Sequence, residues 1–283
     1  MTDYCLQQPN RRTFLGLTLA GLAGSATLTS LSACSSRKAP AAFSADAWRK
    51  AEEIRQQVQV PEFPERTFDV RRFGAKADGK HDNSKAFAAA IQACHDAGGG
   101  KVLIADGDYL TGPIHLLSNI NLHIAEGARV LFITDPNAYL PAVFTRWEGM
   151  ELMGYQPLIY AFGAENIGLT GSGKIDGGGS NSSWWPWKDQ WKHTPWPVDD
   201  SQVQQPGRDL LMQWVEQGKP VAERVLPENF LRPPLFQVYQ CKQVQVEGLT
   251  LKNSPFWVLN PVLSEDVLIS RVNVVSHGPN SDG

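Results

Sequence analysis

The sequence predicts an all-β chain wound into a parallel β-helix, and three observations predict it. Four segments repeat one pattern, a polar residue followed by two apolar residues two apart: Asn119-Ile120-Asn121-Leu122, Asn166-Ile167-Gly168-Leu169, Gln243-Val244-Gln245-Val246 and Asp266-Val267-Leu268-Ile269. Val244 and Val267 stand 23 residues apart, and Leu249 and Leu251 return after the same interval as Val272 and Val274. Ile120 to Ile167 is 47 residues, which reads as two turns of the same coil. With 25 Gly and 19 Pro, the chain is rich in turns. Side chains alternate along a strand, so stacked coils of three short strands would bury a continuous column of Ile, Leu and Val. A sandwich with accidental strand spacing would alternate too, but would not hold one spacing at four positions.

The elements follow in order. Asn10-Arg11-Arg12-Thr13-Phe14-Leu15-Gly16 resembles a twin-arginine export motif. The uncharged stretch after it, Phe14 to Ala33, is diluted by Gly, Ala, Ser and Thr and suits a permanent membrane span poorly. Leu31-Ser32-Ala33-Cys34 resembles a bacterial lipobox. Residues 1–33 therefore read as a signal peptide, with Cys34 lipidated as the new N-terminus. The expected location is the periplasm or the cell surface, and the expected membrane contact is the lipid alone. Plain cleavage nearby, or a retained anchor, are the other readings. Residues 34–66 read as a tether and a short helix over Ser44–Val58, capped by Ser44, with Trp48, Ala51, Arg55 and Val58 on one face. Val60-Pro61-Glu62-Phe63-Pro64 ends that helix in extended chain.

Residues 67–283 read as the solenoid domain. Phe68 and Val70 alternate as in a strand, and Asp78-Gly79 marks a turn. Asp82 is a candidate N-cap for a helix to Ala97, with Phe87, Ala90, Ile91 and Cys94 as its apolar stripe. That helix is suited to cap the N-terminal end of the coil stack, which would otherwise expose strand edges. Cys94 and Cys241 are expected as buried thiols rather than a disulfide. Residues 178–232 interrupt the repeat and carry Trp184, Trp185, Trp187, Trp191 and Trp196, five of the nine tryptophans. They read first as the core of the excursion, with an aromatic sugar subsite as the alternative. Asp199-Asp200 reads as solvated surface. A net charge of −3 and no basic stripe give no case for nucleic acid. Val272, Val274 and Val275 lead into His277-Gly278-Pro279-Asn280-Ser281-Asp282-Gly283 with nothing to cap that end, so further coils are expected to be missing beyond Gly283.

An ordered set of short motifs resembles the polygalacturonase family of glycoside hydrolases, family 28. The set is Phe73-Gly74-Ala75, Asp78-Gly79, Asp82-Asn83, Gly98-Gly99-Gly100, Tyr109-Leu110-Thr111-Gly112, Gly171-Ser172-Gly173-Lys174-Ile175-Asp176-Gly177, Trp184-Trp185, Arg232-Pro233-Pro234, Asn253-Ser254-Pro255-Phe256-Trp257 and Asn280-Ser281-Asp282-Gly283. The resemblance implies a right-handed, pectin-lyase-like β-helix. It also implies hydrolysis of α-1,4-linked galacturonan in pectin with inversion, no cofactor and no metal, by a protein expected to be a monomer. The family's catalytic Asn-Thr-Asp-Gly reads Asn-Ser-Asp-Gly here, and the resemblance makes Asp282 the group that helps activate the attacking water. Asn253, Trp257, His277 and Asn280 are candidate substrate contacts. An inverting hydrolysis needs an acid and a base roughly 6.5–9.5 Å apart, so this chain by itself, with one signature carboxylate, is expected to be inactive. A non-catalytic glycan-binding solenoid and a calcium-dependent pectate lyase are the competing readings.

Overall fold

A computed structural model describes residues 45–189, 196, 199–226 and 229–279. The chain divides into two compact units, Met1–Trp48 and Arg49–Gly283. The helix α1 (Ala45–Gln57) is exposed from Asp46 onward; Arg55 turns back to Glu52 at 2.8 Å instead of joining an apolar face. Its expected cap, Ser44, lies outside the described residues, as do Cys34 and the export motif.

The second unit is a stack of three-sided coils. The first holds β1 (Thr67–Asp69), β2 (Asp78–Asp82) and α2 (Ser84–Asp96). The second holds β3 (Gly100–Ile104), β4 (Gly107–Thr111) and β5 (Ile114–His115). The third holds β6 (Ile120–Ile124), β7 (Ala128–Phe132), a hairpin of β8 (Val143–Trp147) and β9 (Met150–Gly154), then β10 (Ile159–Phe162). The fourth holds β11 (Glu165–Gly171), β12 (Lys174–Asp176), an excursion containing α3 (Gln205–Glu216), then β13 (Phe236–Tyr239). Next come β14 (Lys242–Glu247), β15 (Thr250–Lys252) and β16 (Leu259–Val262), followed by β17 (Glu265–Ser270) and β18 (Asn273–Val275). Equivalent strands pair in parallel. The first sheet is β1-β3-β6-β11-β14-β17, the second β2-β4-β7-β12-β15-β18 and the third β5-β10-β13-β16. The fold is a right-handed parallel β-helix.

Register makes the core. Val102, Leu122, Leu169, Val246 and Ile269 pair in one row, and Tyr109, Val130, Ile175, Leu251 and Val274 in another. All but the last residue of each row are buried. A slip of one residue would turn every one of them outward. Ile120 pairs directly with Ile167. The 47-residue interval is therefore one coil carrying the β8–β9 hairpin, and not two turns as the spacing suggested.

The polar residue that opens each repeat has a conformational reason. Asn119, Asn166, Gln243 and Asp266 have φ of 66°, 61°, 53° and 53°. They turn the chain into the first sheet through the left-handed region, which Asn and Asp enter most readily among residues with a side chain. The segment 59–64 laces over this row. Glu62 N–H donates to Asn166 Oδ1 at 2.9 Å, and Asn166 Nδ2 donates to the Glu62 carbonyl at 2.7 Å. Gln59 N–H donates to Asp266 Oδ1 at 3.2 Å.

At the N-terminal end α2 takes the place of a third-sheet strand. Phe87, Ala90, Ile91 and Cys94 are buried in the main core, Phe87 and Ile91 contributing about 1.5–3 kcal/mol each. The cap lies one residue later than expected. Asp82 ends β2 and accepts the Ser84 N–H at 2.9 Å, while buried Asn83 occupies the cap position and bonds Lys76, His81 and Leu110. Similarly β1 stops at Asp69, whose carboxylate accepts the Arg71 N–H, so buried Val70 opens a 3-10 turn rather than continuing the strand. Cys94 and Cys241 are buried free thiols.

Gly171 is the tightest corner: its φ is +124°, and a Cβ there would lie 1.9 Å from the Ile124 carbonyl oxygen. Gly74, at φ +95°, has open space around it. Urea unfolding is expected to show Gly74→Ala losing about 1–2 kcal/mol, from backbone strain alone. Gly171→Ala is expected to lose about 3 kcal/mol or more.

Candidate active site

Every long connection falls on one edge of the prism. Between second and third sheets the chain makes the β8–β9 hairpin, the 177–235 excursion and the Asn253–Trp257 turn, and residues 276–279 leave β18 at the same corner. Parallel stacking places these turns side by side along the helix axis.

The hairpin lies over the outer face of the third sheet. Phe144-Thr145-Arg146-Trp147 and Met150-Glu151-Leu152-Met153 alternate in and out about a two-residue turn at Glu148-Gly149, both at positive φ. Thr145 Oγ1 donates to Gln237 Oε1 at 2.5 Å, Gln237 Nε2 to the Arg146 carbonyl at 3.1 Å, and Tyr160 O–H to the Phe144 carbonyl at 2.5 Å. Phe144 meets Phe162 and Tyr239 edge-on at 5.3 and 5.1 Å. Tyr239 donates to Glu151, and burial, with that hydrogen bond, pushes its phenol up to about 12.

The excursion packs against both neighbours. Leu211 of α3, Leu226 and Leu231 form a second apolar cluster with Trp147 and Leu152 of the hairpin and with Phe256. An Arg208–Glu148 ion pair at 2.9 Å closes its rim and contributes at most about 1 kcal/mol because it is partly solvated. Trp184, Trp185, Trp187 and Trp196 are buried in the main core itself. They are therefore neither a core private to the excursion nor a sugar platform; the cluster that the excursion shares with the hairpin is built mostly of leucines. Trp191 lies outside the described residues. Trp185 Nε1 donates to the Ser254 carbonyl at 2.9 Å and its ring abuts Gly278, where a Cβ would come within 2.2 Å. Asp199 is exposed and caps the turn at 200–202, as its solvated reading required.

Arg232 ties the corner together. It is fully buried, donating from Nε to Gln204 Oε1 at 3.0 Å and from Nη1 to the carbonyls of Pro255 and Pro279 at 2.9 and 2.8 Å. One guanidinium thus bridges the same turn in two successive coils. Its carbon also stands 5.1 Å from the Phe256 ring centre. Burial lowers its pKa to about 9, which still leaves it charged at neutral pH.

Among the candidate residues, Trp257 is the half-buried outer member of a ring stack. Phe256 lies 4.7 Å below it, and Trp147 lies 5.3 Å from Phe256. Asn253 sits at φ 48° and donates its Nδ2 to Asp176 Oδ1 at 3.0 Å, linking neighbouring coils. His277 is exposed beside Gly278. Asn280 and Asp282 lie outside the described residues, which end one residue before Asn280, at the Pro279 that Arg232 holds.

No family model matches the chain. A hyperthermoactive exopolygalacturonase from Thermotoga maritima superposes with a TM-score of 0.79 and 44% identity over 84% of this chain and 53% of that one. The chain is a homologue of the polygalacturonases. An exopolygalacturonase of Zea mays is 28% identical over 225 residues, 78% of this chain and 43% of the relative. The family 28 exopolygalacturonase of Yersinia enterocolitica superposes with a TM-score of 0.56 at 25% identity, over 78% of this chain and 41% of that one. The chain spans about half the length, or less, of these three relatives.

Sequence reasoning missed the hairpin, α3 and the clamp at Arg232. The surplus in the 47-residue interval, together with the alternation around Glu148-Gly149, was the signal for the hairpin. Arg232→Met keeps the volume but leaves the Pro255 and Pro279 carbonyls without their donor. Urea unfolding is expected to show a loss of about 3 kcal/mol or more, and amide exchange to rise in residues 253–257.

Proposed function

We propose that the whole protein hydrolyses the α-1,4-galacturonosidic bonds of polygalacturonate, cutting galacturonate from chain ends. The observation that carries this reading is the 44% identity to an exopolygalacturonase across 84% of the chain. The geometry agrees with it. Hairpin and excursion share a core and rise together beside the third sheet, a wall that suits a groove closed at one side.

Asp282 stands in the sequence three residues beyond Pro279, which Arg232 holds, and is proposed to accept the proton of the attacking water. Inversion requires a second carboxyl to protonate the leaving oxygen, roughly 6.5–9.5 Å away, so that water fits between base and sugar. Both groups work by proton transfer alone, which calls for no cofactor.

The test is incubation of the whole protein with polygalacturonate. Monogalacturonate is expected as the first product at the earliest times. An early ladder of oligomers overturns the end-wise part, and no reducing ends at all overturns the hydrolysis. Asp282→Asn is expected to lower kcat about 10²–10⁴-fold.

We also propose export by the twin-arginine-like segment and anchoring through lipid at Cys34. Among the described residues no helix is long and apolar enough to cross a membrane. Cys34→Ser is expected to move the protein from the membrane fraction to the soluble exported fraction; an unchanged membrane fraction contradicts the anchor.

A further inference from the structure

The hairpin carries three charged side chains near its tip, and two are committed. Glu148 pairs with Arg208, and Glu151 accepts the Tyr239 hydroxyl. Arg146 is the third. Its Nε donates to the Gly149 carbonyl at 2.9 Å, which braces the side chain against the turn, and it forms no ion pair among the described residues.

Arg146 lines a cavity of about 290 Å³ together with Gly149, Trp257, Asn260, Pro261 and Leu263. That volume lies near the lower end of the range for small-molecule sites. Trp257 forms one wall, backed by Phe256 and Trp147, so its ring is held by stacking. Asn260 contributes an unusual feature. Its Nδ2 is shielded from solvent and has no hydrogen-bond partner in the protein. Leaving such a donor unpaired costs about 1–3 kcal/mol, and a ligand toward which the amide turns recovers the loss.

We infer that this cavity is a subsite for a single uronate ring, with Arg146 binding the carboxylate, Trp257 stacking on the sugar face and Asn260 donating to a ring hydroxyl. The inference rests on the galacturonan reading for which uronate enters, and on the cavity alone for the chemistry. A guanidinium matches a carboxylate through two parallel N–H donors, a geometry that Lys does not reproduce. The wall of Trp147, Phe256 and Trp257 lowers the local polarity, which strengthens that pair relative to water. The cavity sits on the same corner as the Arg232 clamp, one coil before the Pro279 turn. A ring held here lies one coil from Pro279, which stands three residues before Asp282 in the sequence.

The test titrates the whole protein with galacturonate, guluronate, mannuronate and neutral galactose, following tryptophan fluorescence and heat. Galacturonate is expected to bind. Arg146→Gln is expected to weaken it about 10- to 100-fold and to change galactose binding by less than about threefold. Arg146→Lys is expected to recover only part of the loss. Asn260→Ala is expected to weaken galacturonate and galactose alike, since the amide reads a hydroxyl; binding that is unchanged, with a more stable fold, overturns its role. Arg146 is half-exposed, so its variants keep the fold, and circular dichroism checks that. Undiminished galacturonate affinity in Arg146→Gln, or no binding of any uronate by the parent, overturns the subsite. The two readings fail separately. Cleavage of polygalacturonate with an unchanged KM in Arg146→Gln removes the subsite and leaves the hydrolase. Arg146-dependent uronate binding without cleavage removes the hydrolase and leaves the subsite.

Discussion

The structure depends on parallel pairing in register, coil upon coil. Ile167 must lie on Ile120 and Val244 on Ile167, because any slip turns the buried column out to water. That requirement fixes two of the three corners. Between first and second sheets the chain passes in two or three residues in every coil from β3 onward, through glycines such as Gly171 and Gly248 with no room for a Cβ. Between third and first sheets the left-handed row of Asn119, Asn166, Gln243 and Asp266 repeats the same turn. Only the remaining corner is free to vary. It holds two residues after β4 and residues 177–235 after β12. Function collects where register does not forbid insertions, which is how loops carry sites on rigid scaffolds generally.

Insertions placed on one corner still have to be held. Here the excursion does the holding as well as the walling. Trp185 and Arg232 reach from it into turns of later coils, at Ser254, Pro255 and Pro279. Two arginines of the corner divide the work. Arg232 is buried and spends its donors on carbonyls, so it fixes backbone. Arg146 faces a cavity with a braced side chain, and so can meet an anion. A net charge of −3 does not conflict with an acidic ligand, because exposed charges are screened beyond about 8–10 Å while a partly desolvated guanidinium acts at contact.

The strands, the capping helix and the buried thiols were legible because each obeys a local period. Phe87, Ala90, Ile91 and Cys94 recur at helical spacing; Ile120 and Leu122 recur at strand spacing and again in the next coils. The corner was legible only as an interruption. The 47-residue interval fits both two plain coils and one coil with a hairpin, and only pairing in space decides between them. The tryptophans misled in a similar way. Their clustering marked the excursion correctly, but whether an indole faces a sugar or the solenoid core depends on how the loop folds back. Arg146 carries no signal in the sequence at all: its partners in the cavity, Trp257 and Asn260, stand more than a hundred residues away.

The most direct measurement is amide hydrogen exchange of the whole protein with and without an oligogalacturonate. Residues 143–154 and 253–262 are predicted to gain protection together. The short corners at 105–107, 125–127 and 171–173, and the Asn119–Asn166 row, are predicted not to change. Protection confined to those other corners, with none in the hairpin, would place the ligand elsewhere on the prism and contradict the account.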